Sequence, residues 1–348
     1  MAESQEIRLT EFTHGGGCGC KIAPSVLQEI LAGKTETQDK NLLVGNDTSD
    51  DAAAFDLGNG TALISTTDFF MPIVDDAFYF GKIAAANALS DVYAMGGKPV
   101  LALALLGWPI EKLPAKLASA VLDGARESCN EAKIALAGGH SIDNLEPLFG
   151  LSVNGIVPVK NLKRNIGAGE GDLLYLTKPL GIGIVSAAVK QKKASAKEAK
   201  QIIELMCTLN NIGEQLGELN YVSAMTDVTG FGFLGHLIEM AEGSNLSAEI
   251  SFGSIPTLSI DMLTPFIDQY IYPSNTFKNF SSYGSKVSQL NRVQLPILCD
   301  PQTSGGLLVA IKAQFKNNFE TLLTDAGITA SALGVFTAKG EKVISVID

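Results

Sequence analysis

Apolar positions recur along this chain in alternating helical and extended rhythms, and the changes of rhythm predict most of its elements. Pro24 and Ser25 open an amphipathic helix with Val26, Leu27, Ile30 and Leu31 on one side, and the polar run Lys34 to Lys40 after it reads as a surface loop. Ala53 to Leu57 and Ala62 to Thr67 are strand-like, with Leu57-Gly58-Asn59-Gly60 turning between them as a hairpin and Asp68 closing the second strand. Tyr79 to Met95 predicts a helix with little polar surface, ended by Gly96-Gly97. The continuous apolar run Pro99 to Leu106 predicts a buried strand, Pro114 to Ala132 a helix, and Leu148 to Val157 another strand. Between the last two, Ile134 to Ala137 is a short strand that breaks into a loop at Gly138-Gly139-His140-Ser141.

Around Pro158 to Glu170 the composition turns to Lys, Asn and Gly, which marks a domain boundary. Asp172 to Thr177 predicts a strand, Lys178 to Gly183 a turn into a helix, and Ser195 to Leu216 one long helix. Met225-Thr226-Asp227-Val228-Thr229-Gly230 opens a further helix, Phe233 to Glu242. Residues 244–298 carry no readable motif; Cys299 to Gly306 then leads into the strand Leu307 to Ile311, and a helix and two strands close the chain. The expected organisation is α/β throughout: a mobile glycine-rich segment over 1–45, a domain over 46–158 and a second α/β domain over 170–348.

Composition narrows the function classes. With 46% hydrophobic and 18% charged residues among 348, a large core is available and global disorder is excluded. A net charge of -11 argues against a nucleic-acid partner, because phosphate backbones need a basic face. It also means that a triphosphate needs divalent cations to approach. The polar start Met1 to Glu6 is no signal peptide, and no apolar run is long enough to span a bilayer. Five cysteines without framework spacing suit a reducing cytoplasm.

Candidate chemistry concentrates in His14-Gly15-Gly16-Gly17-Cys18-Gly19-Cys20-Lys21. Glycines let main-chain amides approach a ligand, and Lys21, three residues after Cys18, favours the thiolate by charge attraction. An ordinary flexible arm is the plain alternative, and two thiols fall short of a structural zinc site. Asp50-Asp51 beside three alanines can direct carboxylates at a metal ion or form a solvated turn; Asp68 can sit at a cleft rim or cap a helix. Asn87 and Asp91 share one face of an apolar helix, where a buried carboxylate needs a partner or a cation. Asp227 can cap the helix it precedes or face the same metal. Gly139-His140-Ser141 offers free amides to phosphate oxygens, although no Walker lysine follows, and His140 acts in catalysis or holds the loop.

These motifs, His14 to Lys21, Thr48 to Ala53, Thr66 to Asp68, Leu89 to Gly97, Ala137 to Ser141, Met225 to Gly232 and Asp300 to Gly306, together resemble selenophosphate synthetase, or selenide, water dikinase, of the aminoimidazole ribonucleotide synthetase superfamily. The Gly-Cys-Gly-Cys-Lys stretch separates that family from its relatives. The resemblance implies two α/β domains, dimerisation and ATP binding through the N-terminal domain, and synthesis of selenophosphate from ATP, hydrogen selenide and water with release of AMP and orthophosphate. It makes Cys18 and Lys21 the catalytic pair. Asp51, Asp91 and Asp227 become Mg²⁺ ligands. Lys21, Thr48, Ser49, Asp50, Asp68 and Asp91 contact nucleotide, with Gly139, His140 and Ser141 contributed across the dimer. Selenium-accepting enzymes are the implied downstream partners. Cys18 carries selenium, steers selenide or acts on an intermediate, and Cys20 has a minor role. The N-terminal loop is expected to close over bound nucleotide. Two other readings are a sister enzyme phosphorylating an amide or amidine oxygen, which has no use for the thiols, and a non-enzymatic thiol protein, which has no use for the aspartates.

Overall fold

The computed structural model describes residues 7–22, 26, 29–30, 39–45 and 50–348. Two six-stranded sheets carry the molecule. The first holds β1 (Leu42–Val44), β2 (Ala53–Asp56), β3 (Thr61–Phe70), β4 (Lys98–Trp108), β5 (Ala135–Asp143) and β6 (Leu148–Pro158), in spatial order β1-β2-β3-β6-β4-β5. Neighbours are antiparallel except β4 and β5, which a helical crossover joins in parallel. Helices α1 (Ala77–Ala94) and α2 (Ala115–Glu131) cover one face of this sheet. The Asp76 side chain starts α1 by accepting from the Tyr79 amide at 3.0 Å. The two helices cross with backbones touching: a Cβ on Gly81 would lie 1.8 Å from the Val121 carbonyl oxygen, and one on Gly124 1.8 Å from that of Phe78.

The second sheet runs β12-β9-β11-β7-β10-β8, from β7 (Leu173–Leu176), β8 (Val222–Asp227), β9 (Ser247–Ser251), β10 (Leu307–Ile311), β11 (Gly334–Thr337) and β12 (Ile344–Ile347). Every residue of β10 is buried, as its unbroken apolar sequence requires. Its helices are α3 (Ile182–Lys190), α4 (Ala196–Cys207), α5 (Ile212–Gly217), α6 (Gly232–Gly243), α7 (Ile260–Asp268), α8 (Ser274–Tyr283), α9 (Gln294–Leu298) and α10 (Lys316–Asp325). The connector between the sheets is packed: Lys163, buried, donates to the carbonyls of Leu219 and Val222.

Four expectations change. The strand expected to end on Asp68 continues to Phe70, so Asp68 caps no helix and projects from within β3. Gly138-Gly139-His140-Ser141 is not a loop but part of β5, an edge strand exposed along most of its length. Its glycines serve a bulge: the β4–β5 register shifts between Ala102 and Ala104, Gly138 and Gly139 have φ of 155° and 154°, and a Cβ on Gly139 would lie 2.1 Å from the Ala104 carbonyl oxygen. The helix expected over Ser195 to Leu216 is two helices, interrupted because Thr208 turns extended and the Asn210 side chain bonds across to Ser90 and Gly305. Of the helix expected from Pro24, Val26, Glu29 and Ile30 are described; they are helical, but Val26 and Ile30 are exposed rather than packed on a core. Thr48, Ser49 and most of the Lys34 to Lys40 run lie outside the described residues.

Candidate active site

The two halves meet where α1 and β3 face β8 and the turns after it, and residues 7–22 lie across that junction. This part of the N-terminal segment is seated, not free. Thr10 bonds Asp75 through its backbone amide at 3.1 Å and through its hydroxyl, and Arg8 pairs with the same carboxylate at 2.7 Å. The Gly17 amide reaches the Met71 carbonyl at 2.9 Å and the Cys18 amide the Thr303 hydroxyl at 3.0 Å. Cys18 is therefore buried in a corner made by both halves.

Its thiol does not meet Lys21 in the way charge attraction alone suggests. Cys18 Sγ lies 3.2 Å from Asn87 Oδ1, which also accepts from the Ser304 amide at 2.8 Å. That backbone donor fixes the orientation of the Asn87 amide, so its Nδ2 points at Asp68 Oδ2, 2.5 Å away. Lys21 Nζ stands 3.6 Å from the same Asp68 oxygen, with 37% of its side chain open to solvent. Burial works against the ammonium, but Asp68, then Cys18, Asp91 and Asp227, outweigh it and hold its pKa above the ordinary lysine value. Lys21 thus stays protonated at the mouth of an acidic cleft.

Asp91, on α1, accepts from Thr66 Oγ1 at 2.6 Å. Asp51 accepts from Thr226 Oγ1 at 2.8 Å, a bond that links the halves directly. Asp227, at the end of β8, lies among them and is helped by Ser90. All three carboxyls are pushed above the usual carboxylate range. Burial is the main cause for each; Asp227 and Asp91 add to it at Asp51, Asp227 and Asp68 at Asp91, and Asp68 at Asp227, where Lys21 pulls the other way. Asp51 Oδ2 and Asp227 Oδ2 are buried with no hydrogen-bond partner. Hard, oxygen-only and short of positive charge, this donor set fits a Mg²⁺-sized cation. No three acidic, His or Cys side chains among the described residues already stand in coordinating positions, so the carboxylates would have to draw together around an ion.

Asp50 turns the other way, accepting from the Asn165 amide at 2.8 Å and standing 3.6 Å from Arg164 Nε. Gly139, His140 and Ser141, on the exposed edge strand, line a separate surface hollow with Arg126. Several residues that shape the site had been given no role. Asn87 was visible only as the helical neighbour of Asp91. Asn210 donates at 2.8 Å to both Ser90 Oγ and the Gly305 carbonyl. His236 Nε2 accepts from the Thr229 amide at 3.1 Å, which keeps the turn after Asp227 in shape; burial, aided by Lys21, pushes its pKa down to about 3, so it stays neutral. From the segment without motifs, Asn279 binds the carbonyls of Gly230 and Cys299, and Asn275 reaches that of Lys21.

Family profiles match both halves: "AIR synthase related protein, N-terminal domain" over residues 49–157 and "AIR synthase related protein, C-terminal domain" over residues 169–347. The curated protein named selenide, water dikinase from Haemophilus influenzae (strain 86-028NP) is 53% identical over 347 residues, covering 99% of each chain. That of Colwellia psychrerythraea is 54% identical over 342 residues, 98% of this chain and 99% of the relative. Among solved structures, thiamine-monophosphate kinase from Stenotrophomonas maltophilia K279a shares the fold, with a TM-score of 0.65 at 19% identity over 94% of this chain and 96% of that one.

Proposed function

Since the chain belongs to the AIR synthase-related family and, within it, to the selenide, water dikinases, we propose that the cleft between its halves is where ATP is consumed and that Cys18 and Lys21 close that cleft. The activity is ATP-dependent synthesis of selenophosphate from hydrogen selenide and water, with AMP and orthophosphate released. The observation that carries the site assignment is the pair of buried, unpartnered carboxylate oxygens of Asp51 and Asp227 beside Asp91, with Lys21 held over them through Asp68.

Asp51, Asp91 and Asp227 would hold Mg²⁺, which when bound offsets the charge of the triphosphate and of the phosphoryl group in transfer. Lys21 presents a second, mobile charge to that group, and its pairing with Asp68 keeps it at the cleft mouth until nucleotide arrives. Asn87 positions Cys18 and Asp68 with one amide, so the thiol and the nucleotide-side carboxylate move together. The seated N-terminal loop excludes water from the transfer. Thr48, Ser49 and Asp50 belong to the nucleotide-binding segment. Gly139, His140 and Ser141, remote from the aspartates, serve the phosphates of a partner subunit. The outer face of the first sheet supports such a homodimer: Phe69, Leu103 and Ile156 are exposed on it, and Val100 is exposed where the β4–β6 register shifts.

Phosphorus NMR of the protein with Mg-ATP and selenide tests the whole reading. Selenophosphate and AMP should rise together. ADP as the final product with no selenophosphate would instead indicate a sister kinase, and no turnover at all would refute catalysis by this cleft.

A further inference from the structure

The Cys18 thiol is buried and faces Asn87 on the side of the acidic cleft. Hydrogen selenide is an anion at neutral pH. Approaching through that cleft, it would meet Asp51, Asp68, Asp91 and Asp227, and in the working enzyme a triphosphate as well. A route from the other side of the loop avoids that repulsion.

A cavity of about 210 Å³ adjoins the same loop and shares none of its lining with the four aspartates. Gly16, Gly19 and Thr303 are among its lining residues; Gly19 follows Cys18 in the chain, and Thr303 is the residue whose hydroxyl holds the Cys18 amide. Ser186, Ala187 and Lys190 of α3 line it as well. No acidic residue lines the cavity, whereas Lys190 and His14 do, the His14 ring pairing with Glu146 at 2.9 Å and the Lys190 ammonium reaching the Thr13 carbonyl at 3.5 Å. Ser186 Oγ is buried without a partner. Ile73 and three prolines supply apolar surface suited to a soft, weakly hydrated anion. The volume exceeds that of a single water site many times over, so the anion can enter with part of its hydration shell. At Gly19 an added Cβ would meet nothing nearer than Pro301 Cγ at 3.9 Å, so the loop leaves this side open.

We propose that this cavity is the site through which hydrogen selenide reaches Cys18, separate from the nucleotide cleft. The proposal rests on the selenophosphate-forming activity and assigns that activity a second, anion-selective door.

Steady-state kinetics with the intact enzyme, selenide and Mg-ATP test it. Gly19→Val and Ala187→Leu fill the cavity from two of its lining elements, and Lys190→Gln removes an exposed ammonium that also reaches the Thr13 carbonyl at 3.5 Å. Each filling variant should raise the KM for selenide about tenfold, and Lys190→Gln about threefold, with the KM for Mg-ATP within about twofold of the parent. An unchanged selenide KM in Lys190→Gln together with unchanged values in whichever filling variants fold would overturn the proposal. So would a rise in the Mg-ATP KM in step with that for selenide, because the loop would then act on the nucleotide. Absence of selenophosphate in the parent control refutes the functional reading first, and the cavity assignment with it.

Discussion

Burial, with neighbouring carboxylates adding to it, raises the pKa of Asp51, Asp91 and Asp227, so each ionised carboxylate adds a cost that a cation, or a neutral replacement, would remove. For an acid whose folded pKa is raised, the stabilising state is the protonated one. Its contribution is complete below the ordinary value of 3.8 and is lost as pH rises through the folded value. At pH 8 without Mg²⁺, Asp51→Asn should therefore melt a few degrees higher than the parent, for a gain of about 1–2 kcal/mol. Asn keeps the oxygen that accepts from Thr226. The same variant should lose at least about 100-fold in Mg-ATP turnover, because an amide is a poor Mg²⁺ ligand. Calorimetry and AMP release measured on one preparation check both. A lower melting temperature with activity intact would mean that Asp51 is structural. The sequence marked these aspartates as candidates through the alanines after Asp51, the apolar helix around Asp91 and the glycines that follow Asp227. Their hydroxyl partners were not: Thr226 lies 175 positions from Asp51, and only folding brings the two within bonding distance.

At the scale of elements, α1 and α2 show where close packing leaves no slack. Gly81→Val should cost about 3 kcal/mol or more in urea unfolding, since its Cβ would enter the Val121 carbonyl and both helices are anchored on the sheet. Helix α3 begins differently: the Gly183 and Ile184 amides donate to Asp300 Oδ2 at 2.8 and 3.2 Å, and burial pushes the Asp300 carboxyl up to about 8. Between pH 3.8 and about 8 the folded chain binds this proton more tightly than the unfolded chain, so stability falls as pH rises, with a slope approaching about 1.4 kcal/mol per pH unit for one group. Asp300→Asn should flatten that slope between pH 5 and about 8, as read from urea midpoints across the range. Elements with an unbroken period, such as α1 and β10, could be read directly from the chain. β5 could not, because a paired glycine reads as a loop until the partner strand shows that the glycines accommodate a bulge.

The molecule as a whole joins two sheets through an N-terminal segment that binds both. If that segment closes over nucleotide, Mg-ATP should slow tryptic cleavage within the first forty or so residues by at least about fivefold. Equal rates would show that its seat is indifferent to the ligand. The exposed apolar face of the first sheet makes a separate prediction: Leu103→Glu with Ile156→Glu should shift sedimentation from dimer to monomer, while a parent that sediments as a monomer would remove the proposed shared phosphate site. Many of the elements outside 244–298, the acidic character and the positions of the thiol, the lysine and the aspartates were determined by the chain alone, because they depend on local periodicity and on what each side chain can do chemically. Tertiary structure alone decided that Asn87 joins Cys18 to Asp68, that Thr226 reaches Asp51, and that a cavity without acidic lining adjoins the thiol loop. Those contacts pair residues far apart in sequence, and a local pattern carries no record of which distant partner folding will deliver.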